Sequence, residues 1–353
     1  MPEVTLTPVW FDSLGAKSSC ILVETPCIKV LVDPGASAMH PSFPATAEEK
    51  ARWLAEAKQA IREASRKADV IVVTHYHYDH YTRSPELYSG KLLLAKSPNQ
   101  YINSSQRKRA ESFYSSLWTH YRGESLDDAL EEPACREYPD PLSELKLALS
   151  QDFGDYSRRR MELLEKGRRW FEARVREWSS ARVIPELESS MLRVKFADGK
   201  QFRFKETTLR FTPPMFHGVE YSRVGWVVSL VVEHAGEKLL YSSDLNGPII
   251  EDYAEWIIRE DPDVLVLDGP PTYMIPYTLN LINLRRAVKN ICRILQETST
   301  RLILLDHHLL RDRLYRRRLA EAYRLAESLG KTLATAAELV GKKPKILEAI
   351  EQA

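Results

Sequence analysis

Apolar and polar positions alternate through residues 3–33 around two breaks, Ser13-Leu14-Gly15 and Glu24-Thr25-Pro26, which predicts antiparallel strands along one edge of a sheet. From Glu48 to Ala68 the period changes: Trp53, Leu54, Ala57 and Ile61 recur at helical spacing behind Thr46, a residue suited to an N-cap. A helix covering one sheet face is expected there. Asp69-Val70-Ile71-Val72-Val73-Thr74 is an apolar run without polar alternation, the mark of a strand buried on both faces. Short alternating strands return between Met191 and Asp244, with hairpin breaks expected at Ala197-Asp198-Gly199-Lys200 and Glu233-His234-Ala235-Gly236-Glu237. The last third reads as helix 249–260, strand 264–267, helix 283–297, strand 302–305, and helices to the end. A β-rich half followed by strand–helix alternation predicts an α/β fold, a four-layer αββα sandwich of two stacked mixed sheets with helices on both outer faces.

One segment interrupts this rhythm. Residues 97–182 form a mostly helical insertion within a single domain spanning 1–353, and they leave from the side of the fold where the histidines lie, so a lid is the expectation. From Glu124 to Asp155 the insertion holds ten acidic residues against two basic ones, and from Ser157 to Arg182 nine basic against four acidic. The basic part, with Met161, Leu164, Trp170, Phe171, Val175 and Trp178 interleaved, reads as an amphipathic helix. Its arginines are expected to form a solvated face that offsets the acidic segment, with a phosphate-holding role as the alternative. Asn103 and Gln106 are expected to bring amides to the substrate entrance.

Composition changes this picture mainly by exclusion. The chain of 353 residues carries 50 Lys+Arg against 49 Asp+Glu, so no global field draws it to nucleic acid or an anionic membrane. No run approaches the roughly 20 apolar residues of a spanning helix, and no export signal is read at Met1-Pro2-Glu3, so a cytoplasmic location is expected. Cys20, Cys27, Cys135 and Cys292 form no Cys-x-x-Cys pair and are expected as free thiols, a Cys20–Cys27 bridge being the alternative.

The chemistry starts where the buried run ends, at His75-Tyr76-His77-Tyr78-Asp79-His80. Two residues apart in a loop, His75 and His77 can turn their imidazoles onto one divalent cation, with Asp79 and His80 directed to a neighbouring position. Other strands end in the same residue types: His217 after Phe211–Phe216, Asp244 after Lys238–Ser243, and Asp306-His307-His308 after Arg301–Leu305. His40, His120 and His234 stand outside this pattern and are expected on the surface, in packing or in a turn.

This ordered set, with Asp33 closing Ile28–Val32, resembles the metallo-β-lactamase superfamily. The strings Phe11-Asp12-Ser13-Leu14-Gly15, Ser243-Asp244-Leu245-Asn246-Gly247-Pro248, Asp268-Gly269-Pro270-Pro271-Thr272-Tyr273 and Asp306-His307-His308-Leu309-Leu310-Arg311-Asp312 are similar to a mostly archaeal group of predicted hydrolases within it. The resemblance implies one metal on His75, His77 and His217 and a second on Asp79, His80 and His307, with Asp244 bridging them and His308 as the alternative to His307. Asp79 and Asp244 would then be the catalytic carboxylates. The resemblance also implies that Asp33 orients the His75/His77 loop, whereas the residues alone read it equally well as a turn-capping Asp before Pro-Gly. Asp268 or Asp306 would accept a ligand imidazole N–H. Zinc is the default cation, with manganese or iron as alternatives.

Such a site implies a hydrolase that attacks with a metal-bridging hydroxide, on a phosphodiester first and otherwise a phosphate ester, lactone or similar small-molecule ester. Tyr273 and Tyr76 are the candidates for protonating a leaving group. A nuclease is the runner-up, with Arg311, Arg313, Arg316, Arg317 and Arg318 as its phosphate-tracking surface; near-neutral charge and the lack of a nucleic-acid module weigh against it. A non-catalytic protein whose metals stabilise a binding surface is the third reading.

Overall fold

The computed structural model describes residues 3–133 and 135–351. Its first sheet takes the order β1 (Thr5–Phe11), β2 (Ser19–Glu24), β3 (Lys29–Val32), β4 (Val70–Val73), β5 (Lys91–Ala95) and β6 (Leu192–Phe196). The pairs β1–β2 and β2–β3 are antiparallel, as the early alternation predicts, and β3 to β6 run parallel. The second sheet contains β7 (Gln201–Phe204) and β8 (Thr207–Phe211). After a small ribbon of β9 (Met215–Phe216) and β10 (Trp226–Val227), it is completed by β11 (Leu230–His234), β12 (Glu237–Tyr241), β13 (Val264–Asp268), β14 (Leu302–Asp306) and β15 (Thr332–Ala334). Its strands β12 to β15 are parallel, and β7, β8, β11 and β12 are antiparallel neighbours.

Side-chain alternation explains why the sheets stack. In β4, Val70 and Val72 enter the core between the sheets beside Leu230, Val232 and Val266, while Ile71 and Val73 enter the outer core under helices. Strands buried on both faces need apolar residues at every position, and each such side chain contributes about 1.5–3 kcal/mol on burial. The outer face of the first sheet is covered by α1 (Ala47–Lys67), α2 (Ser104–Arg122), the short α3 (Leu126–Ala129) and α4 (Lys146–Ser150), and α5 (Tyr156–Ser180). The second sheet is covered by α6 (Glu251–Glu260) and α7 (Leu281–Glu297), then α8 (Tyr315–Arg318), α9 (Ala320–Ser328) and, after α10 (Ala336–Leu339), which joins the core between the sheets, α11 (Lys345–Glu351). This is the expected sandwich.

Several local expectations hold in detail. Thr46 caps α1: its hydroxyl accepts from Glu49 N at 3.1 Å, and the Glu49 carboxylate accepts from Thr46 N at 2.8 Å. The turn at Ala235-Gly236 joins β11 to β12 with both residues at positive φ, 49° and 85°. The hairpin expected at 197–200 is corrected: β6 belongs to the first sheet and β7 to the second, so Ala197–Lys200 is the crossing between sheets. A two-residue turn signal reports a reversal, and nothing local says whether the returning strand rejoins the same sheet. The hairpin lies instead at Lys205-Glu206, where Phe204 pairs with Thr207. All four cysteines are free thiols. Among the described residues no helix is long and apolar enough to cross a membrane.

Candidate metal centre

Every predicted ligand sits just past the C-terminal end of a strand. The four parallel strands of each sheet end on the same edge of the sandwich, so β3 delivers Asp33, β4 delivers His75 to His80, β12 delivers Asp244, and β14 delivers His307 and His308. His217 follows the ribbon strand β9. The turns that aim these side chains are tight: Asp33 (φ 48°), Ser243 (φ 53°), Asn246 (φ 55°) and His307 (φ 60°) all hold the left-handed conformation. Each such non-glycine residue costs about 1–3 kcal/mol, offset here by surrounding contacts, and strain of this kind gathers at functional sites.

Two donor sets share one edge. In the first, one ligand atom each from His75, His77, His217 and Asp244 lie within 4.8 Å of one another; in the second, Asp79, His80 and His307 do so. Asp244 stands between them, with Oδ2 3.3 Å from His75 Nε2, 3.1 Å from His217 Nε2 and 3.2 Å from His80 Nε2, and Oδ1 3.6 Å from His307 Nε2. His75 Nε2 faces His77 Nδ1 at 3.0 Å, and His80 Nε2 faces His307 Nε2 at 3.3 Å. Both nitrogens of His217 and Oδ1 of Asp244 are buried without a hydrogen-bond partner. Orphaned lone pairs pointed at one another are costly unless a cation lies between them, so the donor set fits divalent metal binding.

Electrostatics agree with that fit. Burial, with the neighbouring His80, pushes His75 down to about 4, and burial holds His77 well below its ordinary value. For His80, burial is outweighed by the Asp244 and Asp33 carboxylates, and its value rises to about 10. His307 is raised for the same reason, with Asp12 and Asp244 overcoming burial. Asp244 is held well below the carboxylate range, because His80, His307 and His75 overcome its burial. The surrounding carboxylates thus favour positive charge at His80 and His307, and a divalent cation would answer the same demand.

The surrounding contacts fix ring orientation. Asp33 accepts from His80 Nδ1 at 2.8 Å, from Thr74 N at 2.8 Å, from the Thr74 hydroxyl at 2.6 Å and from Tyr241 OH at 2.8 Å. It holds the start of the loop and the far imidazole together. Asp268 accepts from His308 Nδ1 at 3.0 Å and from Asn246 N and Nδ2 at 3.0 and 3.1 Å. Asp306 does not touch an imidazole among its hydrogen bonds. It accepts from the backbone N–H groups of Ser13, His307 and Ala336 at 3.1, 2.7 and 2.8 Å, and burial pushes it up to about 7. The acceptor for His307 Nδ1 is Asp12, at 2.8 Å. Sequence reading left Asp12 without a role, although it follows an apolar strand just as Asp33 does.

The remaining candidates divide. Arg311, its side chain 9% exposed, donates from Nε to Asp12 at 2.5 Å, approaches Asp79 at 3.5 Å and donates to the Tyr273 hydroxyl at 3.1 Å. Asn103 caps α2 and donates to the Arg223 and Val224 carbonyls at 2.8 and 2.7 Å. Gln106 is fully buried, accepts from Tyr76 N at 3.2 Å and donates to Val224 O at 2.8 Å, 3.4 Å from His77 Nε2. These amides brace the histidine loop and the loop at 223–224. Tyr76 points away from the cluster, its hydroxyl donating to Lys96 O and lying 3.0 Å from Tyr114 OH. His234 bonds Thr207 Oγ1 at 2.8 Å, and His40 bonds Ser42, both outside the cluster.

Residues 15–89 match the model of the metallo-β-lactamase superfamily. The chain is 33% identical to the UPF0282 protein of Methanopyrus kandleri over 98% of this chain and 96% of that one. It is 31% identical to the UPF0282 protein of Pyrococcus horikoshii, covering 97% and 90% of the two chains. A metallo-β-lactamase fold protein from Bacillus subtilis aligns over 94% of this chain and 95% of its own at 11% identity, with a TM-score of 0.43. The superfamily's strand-end histidines and aspartates and the full-length likeness to these archaeal proteins agree: the chain belongs to the UPF0282 family of the metallo-β-lactamase superfamily.

Proposed function

We propose that this protein is a metal-dependent hydrolase of phosphodiesters or related esters, working at a two-cation centre. The observation that carries the reading is Asp244, which groups with His75, His77 and His217 on one side and with His307 and His308 on the other, lies 3.2 Å from His80 Nε2 and is orphaned at Oδ1. His75, His77 and His217 would hold one cation, and Asp79, His80 and His307 the other. We assign this place to His307 because its Nε2 faces His80, Asp79 and Asp244; His308, which groups with Asp244 and His307, is the alternative. When bound, paired cations supply a water whose pKa falls from about 15.7 towards about 7 and positive charge for the oxygens of the reacting centre. The chain's own part is positional. Asp33 and Asp12 take the Nδ1 protons of His80 and His307, which leaves both Nε2 atoms free to coordinate. Arg311 clamps Asp12 and Asp79 at the partly exposed side of the centre.

Metal analysis of the purified protein, paired with chromogenic phosphodiesters, phosphomonoesters, lactones and thioesters, tests the proposal. About two zinc, manganese or iron ions per chain and turnover of a phosphodiester, lost on chelation and restored by the metal, are expected. A metal-replete protein inert towards all four classes would overturn it. Asp12→Asn is expected to weaken the affinity for one of the two ions by about 10–100-fold, since it removes the anionic acceptor behind His307. Metal titration with unchanged affinity for both ions would show that His307 needs no such partner.

A further inference from the structure

A groove of about 1040 Å³ runs beside the histidine loop. One wall is α1, which contributes Lys58, Arg62 and Arg66. Four residues apart on one helix face, they are spaced roughly 6 Å along the axis at 1.5 Å rise per residue. The rest of the lining includes Arg83, Lys91, Tyr78 and Tyr81. Two features tie the groove to the metal centre. Tyr78 is the residue between His77 and Asp79, and Pro34 and Ala36 line the groove on either side of Gly35. At Gly35 there is no space for a β-carbon against the backbone amides of His80 and Tyr81, so this wall lies directly on the ligand loop.

Three basic surfaces compete for an anionic ligand, and carboxylate pairing is heaviest outside the groove, although Arg313 and Arg317 after the last histidines and Arg158, Lys166 and Arg176 on α5 have no carboxylate partner among the described residues. The groove is set apart by its place beside the histidine loop and by the exposed Tyr78 ring. After the last histidines, Arg311, Arg316 and Arg318 are tied to Asp12, Glu338 and Asp312. On α5, Arg159, Arg160, Arg168 and Arg169 are tied to Glu162, Glu220, Asp140 and Glu165. In the groove, Lys58, Arg66 and Arg83 have no carboxylate partner among the described residues, and Arg62 is bonded only to the neutral Gln59. Lys91 donates to the Ala68 carbonyl, and Glu86 is the lone carboxylate in the lining. Tyr78 is 46% exposed, with the Arg83 and Arg109 guanidinium groups 5.1 and 5.7 Å from its ring centre. Evenly spaced free cations beside an exposed aromatic ring are the elements that track a sugar-phosphate backbone and stack a base.

We infer that the groove binds single-stranded polynucleotide and leads one of its phosphodiesters to the histidine cluster. One row of cations serves one strand, and Tyr78 can stack only on a base that is unpaired. The cleavage of that strand rests on the hydrolase reading; its binding does not.

Fluorescence anisotropy with the full chain, chelated to prevent cleavage, and a labelled 15-nucleotide RNA or DNA of mixed sequence tests this. Binding at low salt is expected, with log K falling against log salt at a slope of about −2 to −3 for three or four phosphate contacts. Lys58→Ala/Arg62→Ala/Arg66→Ala should weaken binding at least tenfold and flatten the slope by about two units, while turnover of a small chromogenic phosphodiester stays unchanged. Tyr78→Ala should weaken binding by about 5- to 150-fold. Equal binding by the triple variant, or inorganic polyphosphate binding as tightly as the oligonucleotide, would overturn the inference. Turnover of small diesters without oligonucleotide binding also sinks the groove and spares the hydrolase. Oligonucleotide binding that the triple variant weakens, with no cleavage of any diester by the metal-loaded protein, does the reverse.

Discussion

Asp244→Ala is expected to lower phosphodiester turnover by at least about 10³-fold and to reduce metal content below two ions per chain. The argument is geometric. Asp244 Oδ2 lies within 3.3 Å of imidazole nitrogens from His75, His80 and His217, and Oδ1 faces His307 at 3.6 Å. Loss of one preorganised contact to a developing charge costs about 10²–10³ in rate, and here the shared anion behind both cations is lost as well. The fold should survive, since Asp244 is in a loop beyond β12 and makes no ladder hydrogen bond. Metal content by mass spectrometry and turnover, read beside an intact circular-dichroism spectrum, check this. Wild-type turnover by a correctly folded Asp244→Ala protein would remove the carboxylate from the chemistry and return the metals to a structural role.

The donor cluster was legible in the sequence because its residues obey a local rule. Except for His217, which follows a two-residue antiparallel ribbon, each follows an apolar run that reads as a buried strand, and the parallel strands of a sheet end on one edge. Val70–Val73 before His75 and Leu302–Leu305 before Asp306 announce themselves in this way. The choice between His307 and His308 was not legible. The carboxylates behind the two rings, Asp12 for His307 and Asp268 for His308, lie 295 and 40 positions away. The same distance hides the roles of Asn103 and Gln106, whose amides meet the carbonyl of Val224 more than a hundred positions on. On α5, Arg159, Arg160, Arg168, Arg169 and Arg174 meet carboxylates, while Lys58 and Arg66 of α1 and Arg83 do not, a difference that only packing decides.

Arg286→Ala should destabilise the protein by about 3–5 kcal/mol at neutral pH, the usual cost of breaking a buried ion pair from one side. Arg286 donates to both oxygens of Glu251 at 2.8 and 2.7 Å and to Glu220 at 2.7 Å, and the side chains of Arg286 and Glu220 are only 5% exposed. Arg160 of the insertion donates to the same Glu220 oxygen at 2.7 Å, so α5, α7, the start of α6 and the loop after His217 meet in one knot. The pH dependence has a definite sign. Burial opposes the Glu220 charge, but Arg286 and Arg160 hold its pKa below the ordinary 4.5. A depressed carboxylate contributes stability that is complete above its unfolded value and is lost as pH falls through that value towards the folded one. Denaturation midpoints of chelated protein should therefore separate wild type from Arg286→Ala widely at pH 7, and the gap should narrow as the pH is taken below about 4.5. A gap that is constant across this range would mean the variant's cost comes from lost packing over the Phe153 ring, which Arg286 covers at 5.3 Å, rather than from the stranded carboxylates.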